Sequence, residues 1–246
     1  MLSLEALTIA GRGRTLVEGL SLDLEEGKIA CLIGPSGCGK TSVVKWLAGI
    51  LPEGLEAKGR LSISGRQASR PDPAISYQPQ GDALFPWLNV LENAALGLEV
   101  AGMPRATARA HVAPLLPAFG LTGTERLFPD QLSGGMRQRV AFLRTIVQDS
   151  RFILLDEPFS ALDAVTRMRM QAWLVARLEE VRRGVLMVTH DLREATEIAD
   201  RVVVMAAAPG RIVADIAIDP PRRERTEAAL AGLRETLKSL LLEESS

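Results

Sequence analysis

The sequence contains little of what secreted or membrane-spanning proteins need. Only two of its 246 residues are cysteines, Cys31 and Cys38, whereas a small disulfide-built domain needs several pairs. We therefore expect both thiols to be reduced, as in a cytosolic protein. The N-terminal residues lack the basic and apolar segments of a signal peptide. No apolar run approaches the roughly 18–20 residues of a membrane-spanning helix, so a place at a membrane would require a partner.

An excess of positive charge is also missing. The formal net charge is −1, whereas nucleic-acid-binding domains usually carry a basic excess or a basic stripe. This balance argues against a nucleic-acid partner. Aromatic residues are scarce, at 4% of the chain, while apolar residues reach 47%. Such proportions are typical of a folded domain, whose core must consist mainly of Leu, Val, Ile and Ala.

Several short apolar runs occur along the chain, and each is followed by a loop and a helix-like segment. Their pattern predicts buried strands at Ile29–Ile33, Phe152–Leu155, Val185–Thr189 and Val202–Met205, and an edge strand at Leu61–Ser64. Strands separated by helices predict a parallel sheet with crossover helices. From about residue 90 to residue 148 the pattern is mostly helical, which predicts a helical insert in an α/β domain.

A final amphipathic helix is predicted from Glu224 to Leu242. Its apolar face carries Leu230, Leu233, Leu237 and Leu240. We expect this face to pack on its own domain rather than to bind a partner.

Residues 34–41 fit the phosphate-loop pattern G-x-x-x-x-G-K-[ST]. Its glycines leave backbone N–H groups free to surround phosphate oxygens, and the next helix directs its positive end at the same anion. Lys40 is expected to reach the β- and γ-phosphates, and Thr41 to ligate Mg²⁺. The predicted nucleotide-binding residues are Gly34, Pro35, Ser36, Gly37, Cys38, Gly39, Lys40, Thr41 and Ser42.

Two acids, Asp156 and Glu157, end the apolar run that starts at Phe152. Carboxylates there are costly unless they serve a cation or a reaction. Asp156 is expected to hold Mg²⁺ through water, and Glu157 to activate the attacking water as general base. The pair could instead cap the next helix, but the upstream phosphate loop favours the catalytic interpretation.

A second anion site is predicted where Ser133 and two glycines open a helix, because a hydroxyl and bare N–H groups meet a helix N-terminus there. Here the sequence resembles the ABC ATPases, whose signature begins Leu-Ser-Gly-Gly. The resemblance covers about residues 4–218. It implies a head-to-tail dimer in which the signature meets the γ-phosphate held by the other subunit. The implied residues are Leu132, Ser133, Gly134, Gly135 and Met136, together with Asp163 from the loop that crosses the interface.

The same resemblance assigns two further residues. Gln80 matches the loop glutamine that contacts Mg²⁺ and water. Gln78 is a rival, but counting back from Pro86-Trp87 favours Gln80. His190 ends a strand and matches the switch histidine that touches the γ-phosphate, whereas His111 is assigned to a solvated helix face. The catalytic set is thus Glu157, His190, Gln80 and Lys40, and the magnesium set is Thr41, Gln80 and Asp156.

The resemblance also implies the architecture: an α/β P-loop NTPase with a RecA-like parallel sheet core, an antiparallel N-terminal β-subdomain and an inserted α-helical subdomain. A single ABC transporter domain would span residues 1–246. Its nucleotide-binding core would comprise residues 1–88 and 150–246. Residues 89–149 would form the helical subdomain that carries the signature.

Two stretches, 84–93 and 208–213, look like the importer branch for nitrate, sulfonate, taurine and bicarbonate, which includes transporters of thiamine-precursor-like molecules. That branch implies an ATP hydrolase using Mg²⁺ on the cytoplasmic face of the inner or plasma membrane. Such a hydrolase would form a homodimer or pair with a second ATPase subunit. It would bind transmembrane permease subunits and depend indirectly on a substrate-binding protein.

Three alternatives stand beside this interpretation. The chain could be the ATPase of an exporter or lipoprotein-release system, or a non-transport ABC protein of DNA repair or translation. The third alternative is a small-molecule P-loop kinase, which would assign no function to Leu132–Gly135.

The stretch Leu7–Gly13, where ABC ATPases usually carry an aromatic that stacks on adenine, has none. Stacking contributes about 1–3 kcal/mol per base in nucleic-acid sites. We therefore expect weak discrimination of adenine, with Arg12 or Arg14 as substitutes. Calorimetric titration should give ATP and GTP affinities within about tenfold of each other. ATP binding at least tenfold tighter than GTP would contradict this expectation.

Overall fold

The structure, a computed structural model, describes residues 1–207 and 209–243. In those ranges the strands are β1 (Leu2–Gly11), β2 (Arg14–Leu24), β3 (Ile29–Ile33), β4 (Leu55–Ile63), β5 (Arg66–Gln67), β6 (Ile75–Gln78), β7 (Phe152–Asp156), β8 (Gly184–Val188), β9 (Arg201–Met205) and β10 (Ile212–Ala217). The α-helices are α1 (Lys40–Leu47), α2 (Val90–Val100), α3 (Arg105–Val112), α4 (Gly134–Ile146), α5 (Ala164–Val181), α6 (Leu192–Ile198) and α7 (Glu227–Glu243).

The larger sheet has the strand order β10-β9-β3-β8-β7-β6. Its strands run parallel except for β10, which pairs antiparallel with β9 at one edge. Strands β3, β7 and β8 are buried at every position, as expected for a sheet covered on both faces. The predicted parallel sheet is confirmed, and the four buried strands lie within one residue of their predicted bounds.

The smaller sheet is antiparallel, with the order β2-β1-β4-β5. The expectation that Leu61–Ser64 forms an edge strand is wrong in two respects. The strand β4 begins earlier, at Leu55, and lies between β1 and the short β5, while Ser64 is in a turn with a φ of 52°. Alternation of apolar residues reports one buried face of a strand and carries no information about which edges are paired.

Two apolar layers enclose the larger sheet. Successive residues of β7 alternate between them, because neighbouring side chains of a strand point to opposite faces. Phe152 and Leu154 join the layer that includes α1 and the smaller sheet, whereas Ile153 and Leu155 join the layer that includes α2 and α4. The sheet thereby carries the helical segment on one face and the phosphate-loop helix on the other.

The C-terminal helix packs on its own domain, as expected. Leu230 and Leu237 are buried, and Leu233 and Leu240 pack against the same core. The helix begins at Glu227 rather than at the predicted Glu224 because residues 222–224 form a separate 3₁₀ turn after Pro221.

Arginines of this C-terminal segment hold the end of α6. Arg225 Nη1 donates to the carbonyl oxygens of Thr196, Glu197 and Ala199 at 3.2, 2.9 and 2.6 Å. Arg222 Nε donates to the Ile198 carbonyl at 2.7 Å. The last carbonyls of a helix lack partners within the helix and carry partial negative charge. These cations therefore fix the position of α6.

Gly210, which precedes β10, lies against the phosphate loop. Gly210 N donates to Leu16 O at 2.8 Å, and Glu18 N donates to Gly210 O at 2.9 Å. A Cβ atom at Gly210 would lie 1.9 Å from the carbonyl oxygen of Cys38. Only glycine therefore allows this close approach.

We expect Gly210→Ala to displace the phosphate loop, because the clash is with backbone rather than with a flexible side chain. Overpacking of this kind typically costs about 1–3 kcal/mol, so Tm should fall, and ATP affinity should drop at least tenfold. The control is Gly232→Ala in α7, where a Cβ atom has no neighbour within 4 Å and alanine should stabilise the helix by about 0.5–1 kcal/mol. An unchanged ATP affinity in Gly210→Ala would contradict the expectation.

Candidate functional site

The phosphate loop joins β3 to α1 at the carboxyl edge of the larger sheet. The Lys40 side chain is buried, and its Nζ donates to the carbonyl oxygens of Gly34 and Pro35, each at 2.8 Å. Gly39 has a φ of 99°, and a Cβ atom there would lie 2.5 Å from Val17 Cγ2, so the position requires glycine. The loop therefore holds the ammonium group with its own carbonyls, for which a phosphate can substitute.

The other loop residues differ in exposure. Ser36 and Gly37 are exposed, and Thr41 and Ser42 are half-buried. Cys38 is buried, with Sγ 3.7 Å from Lys40 Nζ, and neither it nor Cys31 forms a disulfide. The exposed part of the loop is thus the part that a nucleotide can approach.

Asp156 lies beside the first turn of α1. Thr41 Oγ1 donates to Asp156 Oδ1 at 3.2 Å, while Asp156 Oδ2 is buried without a hydrogen-bond partner. Burial raises the pKa of this carboxyl group. A hydroxyl and an unpartnered carboxylate oxygen are donors that Mg²⁺ accepts, together with water and substrate phosphates. Thr41 and Asp156 therefore fit the predicted magnesium site.

Few protein ligands surround that position. No group of three or more His, Cys, Asp and Glu side chains in residues 1–207 and 209–243 is arranged to hold a metal ion. A cation at Thr41 and Asp156 would therefore need phosphate or water oxygens to complete its coordination. This is the usual arrangement when Mg²⁺ arrives with a nucleotide.

Glu157 contacts two of the other predicted catalytic residues, Gln80 and His190, whereas Lys40 contacts carbonyls of its own loop. Glu157 Oε2 accepts a hydrogen bond from Gln80 Nε2 at 3.1 Å and lies 3.3 Å from His190 Nδ1. Glu157 has a φ of 48°, a left-handed conformation that costs on the order of 1–3 kcal/mol in a non-glycine residue. Its amide is held by Val188 O at 3.0 Å. The ends of β6, β7 and β8 thus present three polar side chains to one another.

The structure distinguishes between Gln78 and Gln80, the two candidates for the glutamine of the site. Gln78 is fully buried within β6, opposite Leu155, and both of its side-chain amide atoms lack partners. Gln80 lies two residues later in the exposed loop and contacts Glu157. The contact favours Gln80 as the polar residue of this site.

Sequence reasoning missed the residues that fix the Gln80 loop. Arg137 Nε donates to Asp82 Oδ2 at 2.9 Å, and Arg144 donates to the carbonyl oxygens of Ala83 and Asp82 at 2.8 and 3.0 Å. Both arginines belong to α4, so the loop and this helix are tied together. In the sequence, only Asp82 could have indicated this contact. Its partner, Arg137, is 55 residues away, and no local sequence pattern identifies that arginine.

The sequence analysis also did not identify Tyr77, whose phenol group is buried. Tyr77 Oη, next to β7, is buried without a hydrogen-bond partner. Burial, and then the charge of Asp156, raise the pKa of Tyr77. The Tyr77 hydroxyl therefore lies near the carboxylate of Asp156, to which it can donate a hydrogen bond.

The signature residues, 132–136, lie apart from the phosphate loop and from the residues around Glu157. Ser133 caps α4, and its Oγ accepts a hydrogen bond from Met136 N at 3.3 Å. Ser133 and Gly134 are exposed, Gly135 and Met136 are half-buried, and Leu132 is buried. Among the hydrogen bonds within the described part of the chain, none joins residues 132–136 to the phosphate loop. The serine-glycine corner is therefore open to solvent or to another molecule.

Asp163 likewise faces outward. It caps α5 by accepting hydrogen bonds from the amides of Val165 and Thr166 at 3.1 and 3.0 Å. A hydrogen bond with the Thr166 side chain, and then the bonds from these amides, lower the pKa of Asp163. The structure does not bring Asp163 to Glu157 or to the phosphate loop through any hydrogen bond of the described residues.

The two arginines proposed to replace the missing aromatic lie at the tip of the β1–β2 hairpin. Arg12 and Arg14 line a cavity of about 380 Å³ together with Gly54 and Glu56. Further along β2, Val17 contacts the phosphate loop at Gly39. The cavity is therefore at the end of a strand that reaches the phosphate loop.

Comparison with known proteins gives consistent matches. The family model of the ABC transporter matches residues 17–160. The formylaminopyrimidine import ATP-binding protein ThiZ of Halalkalibacterium halodurans is 36% identical over 236 residues, which are 94% of this chain and 91% of that protein. The taurine import ATP-binding protein TauB of Burkholderia pseudomallei is 40% identical over 209 residues, 85% of this chain and 79% of that protein.

Solved structures agree with the sequence relatives. The structure of an ATP-binding subunit of an ABC transporter superposes with a TM-score of 0.81 at 25% identity and covers 100% of both chains. A dimeric bacterial ABC transporter cassette superposes with a TM-score of 0.78, also at 25% identity, over 90% of this chain and 100% of that one. In the described part of the chain, no helix is long and apolar enough to cross a membrane.

Proposed function

Because the chain belongs to the ABC transporter family and is an ATP hydrolase coupled to transport, we propose that it powers an importer of small solutes as one half of an ATPase dimer. The single observation that carries the catalytic part is the convergence of Gln80 and His190 on Glu157.

Nucleotide binding begins at the phosphate loop. The triphosphate displaces the Gly34 and Pro35 carbonyls from Lys40 Nζ, which then contacts the β- and γ-phosphates. Backbone N–H groups of the loop and the N-terminus of α1 surround the same oxygens. Thr41, Asp156 and Gln80 would hold the Mg²⁺ that accompanies the nucleotide, and the ion would supply charge neutralisation at the phosphates.

Hydrolysis then requires a water molecule in line with the γ-phosphate. Glu157 accepts a proton from this water as its oxygen attacks phosphorus, and the bond to the ADP oxygen breaks. Lys40 and His190 stabilise the charge that develops on the transferred group. The exposed His190 side chain, 70% accessible, is placed to meet a phosphate that arrives from solvent.

A second copy completes the site. Ser133, Gly134 and Gly135 form an anion-binding corner that their own phosphate loop does not use, and a partner's γ-phosphate supplies the missing anion. The dimeric cassette with a similar fold supports this arrangement. The pairing is with a second copy of the chain or with a related ATPase subunit.

We further propose that residues 89–149 move as a helical subdomain against a core of residues 1–88 and 150–246.

Two exposed aromatic residues support a permease partner. Phe85 and Trp87 are 38% and 69% exposed, and their ring centroids are 5.3 Å apart. We propose that Phe85–Glu92 receives a segment of a transmembrane permease, which holds this chain at the cytoplasmic face of the inner or plasma membrane. Because the Gln80 loop precedes these residues, docking and catalysis are adjacent.

The relatives support the proposed class of substrate. Their names specify import of formylaminopyrimidine, aliphatic sulfonates and taurine, which supports small solutes delivered by a substrate-binding protein. Of the stretch 208–213, which suggested the same branch, Ala208 lies outside the described residues. Co-purification of a multi-span membrane protein would separate transport from a role in DNA repair or translation. A neighbouring gene for a periplasmic binding protein would separate import from export or lipoprotein release.

We expect Glu157→Gln to bind MgATP and remain dimeric while hydrolysing about 10²–10⁴-fold more slowly, because the amide cannot accept the proton of the attacking water. Light scattering with saturating ATP and a phosphate-release assay measure the two properties. The matched control is Glu235→Gln, which changes an exposed carboxylate of α7 and should hydrolyse ATP at the unmodified rate. A monomeric Glu157→Gln protein at saturating ATP would count against the scheme.

A further inference from the structure

One side chain of α5 bridges two loops of the site. Arg167 Nη1 donates to Asp191 Oδ2 at 3.2 Å, and Nη2 of the same guanidinium donates to the carbonyl oxygen of Leu162 at 3.3 Å. Asp191 directly follows His190, and Leu162 directly precedes Asp163. The guanidinium therefore joins the residue after the histidine to the loop proposed to cross the dimer interface.

A second contact from α5 reaches Glu194, which also follows His190 in the chain. Gln171, one helical turn after Arg167, donates from Nε2 to Glu194 Oε1 at 2.9 Å, and both side chains are buried. Burial raises the pKa of Glu194, and hydrogen bonds from Thr189 and Gln171 counteract that rise. Asp191 N donates to Thr189 Oγ1 at 3.1 Å. Helix α5 thus contacts Asp191 and Glu194 directly, and through these two residues it is linked to Thr189, which precedes His190.

The space between these groups is small and polar. A cavity of about 50 Å³ is lined by Glu157, Ser160, Arg167, Thr189, His190 and Glu194, among others. Arg167 Nε is buried there without a partner, so the guanidinium is held by its two Nη groups alone. Because the guanidinium is a rigid planar fork, its two Nη groups keep a fixed spacing between Asp191 Oδ2 and Leu162 O.

We propose that Arg167 is a positioning residue that couples loop Ser160–Asp163 to the orientation of His190. The inference rests on the proposed function, since it assigns a consequence to contact between subunits at Asp163. When a partner displaces this loop, Arg167 carries the displacement to Asp191 and so turns the neighbouring imidazole toward or away from Glu157. Closure of the dimer and readiness for hydrolysis would be linked within one chain.

The chain has only two histidines, so their imidazole Cε1–H signals in ¹H–¹³C NMR spectra are readily assigned with His111→Gln. His111 is exposed on α3 and lines a cavity with Trp173 and Arg177 of α5. Its signal therefore reports any general distortion of that helix. The signal of His190 reports the local coupling. Both are measured in the nucleotide-free full chain.

Asp163→Ala removes the cap of α5 and perturbs the loop. We expect this substitution to shift the His190 signal in the otherwise unmodified protein. In the Arg167→Lys background the shift should be at least threefold smaller, because lysine keeps the charge but cannot bridge two acceptors as a fork. The His111 signal should stay in place throughout. No His190 shift with Asp163→Ala alone, or an equal shift in both backgrounds, would overturn the proposal.

Kinetics provide a second readout. Arg167→Lys should lower kcat for ATP at least tenfold with KM within twofold, and Arg169→Lys, on an exposed position of the same helix, should match the unmodified protein. Asp191→Asn is the second variant, because it keeps the oxygen that caps α6 and removes the ion pair. Unmodified kcat in both Arg167→Lys and Asp191→Asn would overturn the proposal. Failure of the proposed function would instead appear as no hydrolysis or no dimer in the unmodified chain.

Discussion

The carboxylate of Glu157 is the group around which the rest of the structure is arranged. It lies at the carboxyl end of a buried strand, in a left-handed backbone conformation, with Gln80 and His190 in contact. Three parallel strands must end at one edge for these side chains to meet. The apolar layers on both faces of the sheet therefore determine the chemistry as well as the fold, because they hold β6, β7 and β8 in register.

The site is open on the side where a nucleotide would extend from the phosphate loop. Lys40 is occupied by carbonyls of its own loop, and Ser133 points into solvent from the start of α4. Helix α4 is also tied to the Gln80 loop through Arg137 and Asp82. A molecule bound at the Ser133 corner would therefore contact a helix that is tied to the loop carrying Gln80, the glutamine proposed to act in catalysis.

Much of this arrangement could be predicted because the signals are local. The phosphate loop, the acids after Phe152 and the serine-glycine corner are contiguous stretches whose residue types specify their chemistry. The pairs that fix them in space are not contiguous. Asp82 with Arg137, and Arg167 with Asp191, join residues 24–55 positions apart, and one charged residue among many surface charges gives no indication of its partner. The position of β4 was mispredicted for the same reason, since pairing is a property of two strands.

In the proposed dimer, the nucleotide held by one copy is enclosed by another. A structure of the chain loaded with MgATP would show whether this enclosure forms. We expect a head-to-tail dimer in which Ser133 of one protomer lies within hydrogen-bond distance of the γ-phosphate bound at Lys40 of its partner. A single copy that encloses the triphosphate alone, with Ser133 still facing solvent, would contradict it.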